Sequence, residues 1–515
     1  MTRKVWVMAW VLALIPLWGF WHIRFFDVDE GLYATAVREM TERGDWLLPT
    51  FDGRPFFEKP ILMFWSAQAF FRIGLPGELA FRLLSVLAYA GLIGATISFA
   101  RRRFDDLTAL FSVLILASCP LLIGVSRLFM PDTAFVCALS VSLFGLWSAV
   151  SDPPGLSRWL IGPALGVAVL AKGPAALVIF AIVALYVVFR LRTERSVGAA
   201  VWLAAIVGFA VTVALWYWPI YVQQGSAFLR GFLYEQNLGR FFGEDQAHLG
   251  PGIYYIPVVL LTLAPFSLAL LQVWRTTRTD AVGKFLWCWA IAAFVLFSAA
   301  GTKLPHYILP AIPPLAILLA RTLATRPPLQ RFVPTIFAAL VAAACFIAAG
   351  MGKGPTVVLM PLGIGAVFGL VASVFFALRT PILFLESAAS VYPIVLTAAL
   401  LGMPAYHREA YKDLNEVSKS LLREPNLPVV EYRMSGLGAR GATGYPSLRY
   451  YLPDRMSSAD WPDELAARID RESLVLSRRG RFEPDGRKAL EALGMRVYEL
   501  KSSGEFAVYR VLPSK

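Results

Sequence analysis

Charged residues and cysteines are scarce in this chain of 515 residues. Only 16% of the residues are charged, whereas 57% are hydrophobic and the mean hydropathy is +0.60. A soluble globular protein is excluded, because such a protein needs more charged surface than this composition supplies. The four cysteines, Cys119, Cys137, Cys288 and Cys345, lie inside apolar runs without a CxxC pattern. They support neither a disulfide framework nor a zinc finger.

Sequence features of nucleotide and nucleic-acid binding are also lacking. The chain contains no Gly-rich strand-to-helix turn, no internal repeat and no low-complexity tract. Its net charge is nevertheless +13, but no basic helix or aromatic-basic motif accompanies that charge. Membrane proteins concentrate Lys and Arg in cytoplasmic loops, so the charge indicates membrane insertion. We therefore expect neither a nucleotide cofactor nor a nucleic-acid partner.

Long apolar runs dominate the first 404 residues. A helix needs about 20 mostly apolar residues to cross a bilayer. By this criterion the sequence predicts thirteen spans, near 5–22, 79–100, 108–124, 132–150, 157–171, 174–190, 198–218, 251–272, 284–300, 305–321, 331–350, 356–378 and 382–402. The first run has no small-residue cleavage site and continues into the acidic stretch Asp27 to Glu30, so we expect an uncleaved span.

The distribution of basic residues predicts the orientation of these spans. If the N-terminus is inside, every second loop is cytoplasmic and should carry the basic bias. Those loops contain Arg101, Arg102, Arg103, Arg158, Arg190, Arg192, Arg195, Arg275, Arg278, Lys284, Arg321, Arg326, Arg331 and Arg379. With an odd number of spans, the C-terminal segment is then predicted to lie outside, in the periplasm or its equivalent.

The composition changes near residue 404 and predicts a second domain. Residues 405–515 hold 19 of the 48 basic residues and 16 of the 35 acidic residues. Patterns typical of helices occur near 408–423, 446–452, 460–470 and 484–493. An apolar run at 427–432 and strand patterns near 473–477, 495–500 and 505–511 alternate with them.

The predicted fold class is a polytopic α-helical membrane protein with about 13 transmembrane helices and a small C-terminal α/β periplasmic domain. The transmembrane domain covers residues 1–404 and has two long periplasmic loops, 24–78 and 219–250. The first of these loops is predicted to contain helices over 29–43 and 57–73. It is rich in aromatic residues, as expected of helices that lie at a membrane boundary.

Ionisable residues at a membrane edge are costly and are candidates for function. Several cations on the outer face could bind a phosphate group through charge-assisted hydrogen bonds: Lys59, Arg127, Lys172 and Lys303. Asp29 and Asp132 could act as a base or orient an attacking group. Glu58 and His248 could supply two ligands to a divalent cation. For each residue taken singly, an interfacial ion pair or a helix cap is an equally good interpretation.

These residues fall in motifs that resemble a known family. The segments Asp29-Glu-Gly-Leu-Tyr-Ala-Thr-Ala-Val-Arg-Glu-Met40, Gly44-Asp-Trp46 and Phe57-Glu-Lys-Pro60 resemble the first outer loop of bacterial GT-C glycosyltransferases of the protein-mannosyltransferase-like superfamily. Further motifs follow in the same order as in that superfamily: Arg127-Leu-Phe-Met-Pro-Asp132, Ala171-Lys-Gly-Pro174, Gln246-Ala-His-Leu-Gly-Pro251 and Thr302-Lys-Leu-Pro-His-Tyr-Ile-Leu-Pro310. The resemblance covers residues 25–315 and is greatest to the 4-amino-4-deoxy-L-arabinose lipid A transferases.

The resemblance implies an inner-membrane glycosyltransferase of GT-C fold. Such an enzyme would move a sugar, aminoarabinose in the nearest family, from a polyprenyl-phosphate donor to lipid A or to another glycan or protein acceptor in the periplasm. It would contact membrane lipids and use no nucleotide. One departure leaves the donor and acceptor open: a basic residue is expected three positions after the first acid, and this chain has Leu32 there.

The resemblance also implies roles for individual residues. Asp29 resembles the catalytic carboxylate and Asp132 the second acid of the site. Lys59, Lys172 and Tyr307 resemble residues of the donor-phosphate pocket, and the charge argument adds Arg127 and Lys303. Glu58 and His248 resemble a metal pair, for Zn or for Mg or Mn. The resemblance implies no role for residues 405–515.

Three alternatives stay open at the level of the sequence. A transporter of a lipid-linked or anionic substrate would also have many spans, buried charges and helices interrupted by Gly or Pro. A protein O-mannosyltransferase would share the superfamily motifs. A lipid-binding scaffold without chemistry would not need both Asp29 and Asp132. The single outer face of the charged residues and the absence of repeats favour the glycosyltransferase.

Overall fold

The computed structural model describes most of the chain outside a long segment before the C-terminal region. The described residues are 1–153, 155–190, 197–242, 250–264, 266–325, 403–434, 445–452 and 455–513, with three isolated positions at 363, 367 and 400. The three spans predicted at 331–350, 356–378 and 382–402 thus lie outside the described residues, apart from those positions.

The chain divides into two compact units. The first unit contains Met1–Trp21 and Phe57–Gly402, and the second contains His22–Phe56 and Met403–Lys515. The segment His22–Phe56, which belongs to the predicted outer loop 24–78, is therefore part of the same unit as the C-terminal segment. The domain boundary predicted at 404 did not anticipate this grouping.

The first unit is built from apolar helices. Among the described residues, six helices are long and apolar enough to cross a membrane: Arg3–His22, Gly77–Arg103, Asp132–Ser151, Ala199–Gln224, Ala281–Ala299 and Pro305–Thr325. A seventh span is formed if Asp106–Ala117 and Pro120–Ser126, which are bent by 67° at their junction, count as one. Pro120 explains the break, because proline has no N–H and its ring clashes with the preceding turn of a continuous helix.

Three other predicted spans are shorter or divided within the described residues. The predicted span 157–171 consists of a 3₁₀ turn, Leu156–Leu160, and the helix Ile161–Lys172. The predicted span 174–190 is the helix Ala175–Phe189. The predicted span 251–272 is divided into Tyr255–Thr262, the 3₁₀ turn Phe266–Ala269 and Leu270–Thr277. The multi-span helical architecture is confirmed, and the number thirteen stays a prediction.

Two buried arginines donate hydrogen bonds to backbone carbonyls at the end of the first helix. The continuous α-helix is Arg3–Leu14, and the chain then continues in short 3₁₀ turns whose carbonyl groups lack α-helical partners. Arg127 donates to the carbonyl oxygens of Pro16 and Trp18, both at 2.7 Å, and Arg82 donates to that of Phe20 at 2.7 Å. Both side chains are almost fully buried. They satisfy backbone acceptors of which two are buried and the third, the Trp18 carbonyl, is partly buried.

The second unit contains one small mixed sheet and a hairpin. Strands β1 (Thr50–Phe51) and β2 (Arg54–Pro55) form the hairpin in the outer-loop segment. The five-stranded sheet contains β3 (Val429–Tyr432), β4 (Met456–Ala459), β5 (Ser473–Arg478), β6 (Arg496–Ser503) and β7 (Phe506–Leu512), in the order β4-β3-β5-β7-β6. Strand β3 runs parallel to β4 and β5, whereas β7 is antiparallel to β5 and β6.

The second unit also contains helices, one in the segment after the first span and the others in the C-terminal segment. They are Asp29–Arg43, Met403–Ala410, Lys412–Arg423, Pro446–Tyr451, Pro462–Ala467 and Lys488–Ala492. Alternate residues of β5 face opposite sides, so that Leu474 and Leu476 join one apolar cluster and Val475 joins the other. The predicted small α/β fold is confirmed. The sequence analysis missed the edge strand β4, because Met-Ser-Ser-Ala is short and largely polar, and it missed the two-residue strands β1 and β2.

Candidate active site

A buried ion pair joins the ends of two neighbouring membrane helices. Asp132 is the first residue of the helix Asp132–Ser151, and Lys172 is the last residue of the helix Ile161–Lys172. The ammonium group of Lys172 donates to Oδ1 of Asp132, whose residue is only 2% exposed. An acid at a helix N-terminus and a cation at a helix C-terminus each interact favourably with the helix dipole. The pairing also lowers the free-energy cost of burying each charge, which is large for an unpaired charge.

Gly173 ends the second helix directly after Lys172. Its φ of +95° lies in the left-handed region, which a residue with a side chain rarely adopts. A Cβ at this position would also lie 3.1 Å from Oδ1 of Asn237. The motif Ala171-Lys-Gly-Pro174 therefore stops the helix and fixes Lys172 at its end.

Two further residues of the site come from the 3₁₀ turn Pro305–Ala311. The Lys172 Nζ lies 4.2 Å from the centroid of the Tyr307 ring, a distance typical of a cation–π contact. Nε2 of His306 lies 3.9 Å from Oδ1 of Asp132. Asp132, Lys172, His306 and Tyr307 together form what we call the Asp132 cluster. The charge of Lys59 also acts on Asp132.

The arrangement suits the binding of an anion at the membrane edge. Lys172, Lys59 and, when protonated, His306 supply positive charge around one carboxylate. A phosphate oxygen could share the ammonium group with Asp132, since an ammonium has three donors. The partly buried setting strengthens such a contact relative to the same contact in water.

Two of the predicted phosphate-binding residues have other partners. Arg127 donates to the backbone carbonyls at the end of the first helix, as described above. Lys303 is 6% exposed, and its Nζ donates to the carbonyl oxygens of Ser298, at 3.1 Å, and of Ala300. A phosphate contact would require either side chain to leave these carbonyls. For both residues, phosphate binding stays a prediction that the geometry does not favour.

Asp29 belongs to the second unit. It is the first residue of the helix Asp29–Arg43 and is exposed. Within the described part of the chain, no hydrogen bond or ion pair to its carboxylate is found. An exposed carboxylate without a partner is available to a substrate, as the predicted catalytic role requires. That role stays a prediction.

The predicted metal pair is only partly described. Glu58 lies in the first unit and is partly buried, whereas His248 lies outside the described residues. Among the described residues, no group of three or more His, Cys, Asp or Glu side chains could hold a metal ion. The described donors therefore do not make up a metal site by themselves.

Sequence reasoning gave no role to His306, and it placed Asp27 only in an acidic stretch. His306 stands beside Tyr307 in the motif Thr302–Pro310, and its proximity to Asp132 depends on the packing of helices distant in sequence. Asp27 makes two hydrogen bonds with Ser447, which is 420 residues away. The only sequence signal for Asp27 is its place in an acidic stretch after the first span.

A family model covers three residues of this site, Lys59, Asp132 and Lys172. The family model described as dolichyl-phosphate-mannose-protein mannosyltransferase matches residues 58–218. The undecaprenyl phosphate-alpha-4-amino-4-deoxy-L-arabinose arabinosyl transferase of Pseudomonas aeruginosa strain UCBPP-PA14 is 32% identical over 345 residues, which are 63% of this chain and 61% of the relative. The protein of the same name from Edwardsiella ictaluri strain 93-146 is 32% identical over 57% of this chain and 54% of its own length. The chain spans about three fifths of the length of the first of these relatives.

The chain is also similar in fold to solved structures. The crystal structure of ArnT from Cupriavidus metallidurans bound to undecaprenyl phosphate matches with a TM-score of 0.82 and 21% identity, over 99% of this chain and 98% of that chain. The archaeal oligosaccharyltransferase AglB from Archaeoglobus fulgidus, in complex with an inhibitory peptide and a dolichol-phosphate, matches with a TM-score of 0.51 and 13% identity, over 98% and 74% of the two chains. The match confirms the predicted multi-span helical fold with a small C-terminal α/β domain, whereas the number of helices and the side of the membrane stay predictions.

The role of Arg127 can be tested with Arg127→Gln. Removing the guanidinium leaves two buried carbonyls without a donor, which costs about 1–3 kcal/mol for each unsatisfied group. We expect a lower midpoint of thermal unfolding in detergent and an affinity of the folded fraction for a polyprenyl phosphate within about twofold of the wild type. The exposed Arg102→Gln is the control and should change neither. A loss of lipid affinity at unchanged stability would instead support phosphate contact by Arg127.

Proposed function

We propose that this chain, a member of the ArnT-like family of GT-C membrane glycosyltransferases, transfers a sugar from a polyprenyl-phosphate donor to lipid A or to another acceptor outside the membrane. The observation that carries the proposal is the Asp132 cluster, in which Lys172 lies against a buried carboxylate and the Tyr307 ring. The names of the relatives support undecaprenyl phosphate as the lipid carrier and aminoarabinose as the sugar.

The proposed reaction is the displacement of a lipid phosphate at the anomeric carbon. An acceptor oxygen forms a bond to this carbon, and the bond from the carbon to the phosphate oxygen breaks. The polyprenyl phosphate leaves with the electron pair. Lys172 and Lys59 stabilise the negative charge that develops on it, which is commonly the largest catalytic contribution of a preorganised site. Asp132 holds the Lys172 ammonium in place.

Asp29 has one of two roles, depending on the acceptor. A hydroxyl acceptor must lose its proton, and the exposed Asp29 carboxylate would take it as a general base. A lipid A phosphate is already ionised at neutral pH, so Asp29 would then orient the acceptor or balance charge. In either case the carboxylate touches the substrate, which explains why it should be exposed and should have no bonding partner among the described residues.

Replacing Asp29 by Asn should abolish transfer while the protein still folds. The substitution keeps the size of the side chain and removes its charge, so an exposed position tolerates it. We expect mass spectrometry of host cells to show the sugar on lipid A, and little accumulated donor, for the wild type. Asp29→Asn should give unmodified lipid A and accumulated polyprenyl-phosphate sugar.

The control for this experiment is Asp463→Asn, the same change at an exposed acid in the helix Pro462–Ala467. It should behave as the wild type. A different outcome would be that lipid A is the same in cells with the wild type and with Asp29→Asn, while the donor accumulates only with Asp29→Asn. That result would move the acceptor to another glycan or, as in a protein O-mannosyltransferase, to a protein. If cells with Asp29→Asn have the same lipid A and the same polyprenyl-phosphate sugar as cells with the wild type, Asp29 is not an essential carboxylate. If, in addition, cells with the wild type do not differ from cells without the protein in either pool, a transporter is favoured.

We further propose that the protein lies in the bacterial inner membrane with its C-terminal segment in the periplasm. The basic bias of alternate loops supports this orientation. Nucleotide sugars are confined to the cytoplasm, so a lipid-linked donor is the form of activated sugar that a periplasmic site can use. The absence of a nucleotide-binding motif in the sequence fits such a donor.

Single cysteines test the orientation. In a background whose four native cysteines are replaced by Ala, Arg479→Cys places a thiol on the C-terminal segment, where Arg479 is 53% exposed. Arg102→Cys places one at the end of the helix Gly77–Arg103. In intact spheroplasts, a membrane-impermeant maleimide should label the first variant and not the second until the membrane is permeabilised. The reverse pattern would overturn the orientation.

A divalent metal ion, Zn or Mg or Mn, is a separate proposal for Glu58 and His248. The support for this proposal is the resemblance of the two motifs that contain Glu58 and His248. Elemental analysis of purified protein should find about one metal per chain in the wild type and less in Glu58→Gln, because a carboxylate is a far better ligand than an amide. Equal metal content in both proteins would exclude Glu58 as a ligand, whatever the activity.

A further inference from the structure

A carboxylate that the proposed reaction does not use lies inside the second unit. Oδ1 of Asp27 accepts a hydrogen bond from the Ser447 backbone N–H at 2.8 Å, and Oδ2 accepts one from the Ser447 hydroxyl at 2.6 Å. Ser447 is buried in the first turn of the helix Pro446–Tyr451, where a backbone N–H has no acceptor within its own helix. Asp27 supplies that acceptor from a distant part of the sequence.

The backbone on the N-terminal side of Asp27 is held by C-terminal side chains. The N–H of Asp27 donates to the Tyr411 hydroxyl at 2.9 Å, and the N–H of Phe25 donates to the Tyr451 hydroxyl at 3.2 Å. The Phe25 carbonyl lies 3.3 Å from Nε2 of His407. Peptide groups within two residues of Asp27 are therefore bound by three separate C-terminal residues.

The helix that follows Asp27 fits tightly against the same C-terminal helix. A Cβ added to Gly31 would lie 2.5 Å from Oδ1 of Asp27 and closer still to the Ser447 nitrogen. Only glycine permits this approach. Further along the helix Asp29–Arg43, the guanidinium of Arg38 donates to the Tyr450 carbonyl. The contact between the two helices is thus fixed near Gly31 by close packing and near Arg38 by a hydrogen bond.

Asp29 lies between these fixed points. Asp27 is bound two residues before it and Gly31 is packed two residues after it, whereas no described group bonds to the Asp29 carboxylate itself. The position of that carboxylate is therefore set by the backbone, and the backbone is set by contacts with the helix Pro446–Tyr451.

We propose that Asp27 is a positioning residue, which binds Ser447 and thereby fixes the backbone from which Asp29 meets its substrate. This gives the C-terminal α/β segment a function in the reaction: it holds the first outer loop in the reactive conformation. The proposal rests on the proposed catalytic role of Asp29. We call the Asp27–Ser447 contact, with the flanking bonds of Phe25 and Tyr411, the loop clasp.

The kinetic test compares Asp27→Ala, Asp27→Asn and the control Asp463→Ala in the purified full chain. Asp27→Ala removes both acceptors, and a reacting group misplaced by about 1 Å can lose about 100-fold in rate. We expect kcat to fall by about 10-fold to 100-fold with KM within about twofold, because substrate binding does not use this residue. Asp27→Asn keeps one acceptor and the shape, so it should keep kcat within about threefold. Asp463→Ala should match the wild type.

Other outcomes separate the clasp from the proposed function. If Asp29→Asn is inactive and folded Asp27→Ala keeps the wild-type kcat, the clasp is wrong and the role of Asp29 stands. If Asp29→Asn is active, the proposed catalytic role of Asp29 fails, the transferase activity itself stands, and the clasp has no catalytic carboxylate to position. If Asp27→Ala does not fold, Ser447→Ala takes its place, because this substitution removes only the hydroxyl. A wild-type kcat for Ser447→Ala would then contradict the proposal.

The pH dependence of stability gives a second, independent measurement. Burial raises the pKa of Asp27 from 3.8 to about 7, the hydrogen bonds from Ser447 oppose the rise, and the nearby Glu30 adds to it. Other titratable side chains also face this segment: Tyr411, which is stacked on His407, bonds to Asp27, whereas His407 and Tyr451 lie against Phe25. The folded state holds the proton more tightly, so this contribution to stability is complete below about pH 4 and is lost as the pH rises to about 7.

The expected result is a difference between wild type and Asp27→Asn that changes with pH. The midpoint of thermal unfolding of the wild type should fall relative to that of the variant between about pH 4 and about pH 7. A difference that is constant over this range would show that the Asp27 carboxyl does not titrate inside the folded unit, and it would overturn the buried contact on which the clasp depends.

Discussion

The cost of an unpaired polar group in hydrocarbon governs the internal structure of the first unit. A backbone carbonyl or a charge that has no water must find its partner within the protein. Arg82 and Arg127 satisfy the carbonyls at the end of the first helix, and Lys303 binds the carbonyls of Ser298 and Ala300. These three buried cations therefore make structural contacts, and for Arg127 and Lys303 phosphate binding stays a prediction that the geometry does not favour.

The buried pair of Asp132 and Lys172 obeys the same rule and still leaves capacity for a ligand. One ammonium group bound to one carboxylate keeps donors that can reach an oxygen at the edge of the membrane. The position of the pair at two helix ends, with Tyr307 against the cation, combines helix dipoles, a cation–π contact and low hydration. A site of this kind can be stable in the absence of substrate and can still bind a phosphate.

The second unit follows a different physical rule, because its outer-loop segment is held by hydrogen bonds to a small α/β fold. The five-stranded sheet buries apolar residues on both faces and provides a rigid base. The helix Pro446–Tyr451 extends this base to residues 25–38 through Ser447, Tyr450 and Tyr451. The exposed acid Asp29 thus belongs to a loop whose conformation depends on residues more than 400 positions away.

The sequence by itself determined the membrane class, most of the described helices and strands, and the set of polar residues among which the site is found. The hydropathy of the sequence and the spacing of its apolar residues suffice to predict these features, because the features depend on local side-chain chemistry. The partners of those polar residues were decided by the tertiary structure. Lys303 and Tyr307 belong to one motif, yet Lys303 turns to backbone carbonyls and Tyr307 to Lys172. Asp27 and Asp29 likewise differ only in environment. The direction of a side chain depends on the packing of helices distant in sequence, which no local pattern records.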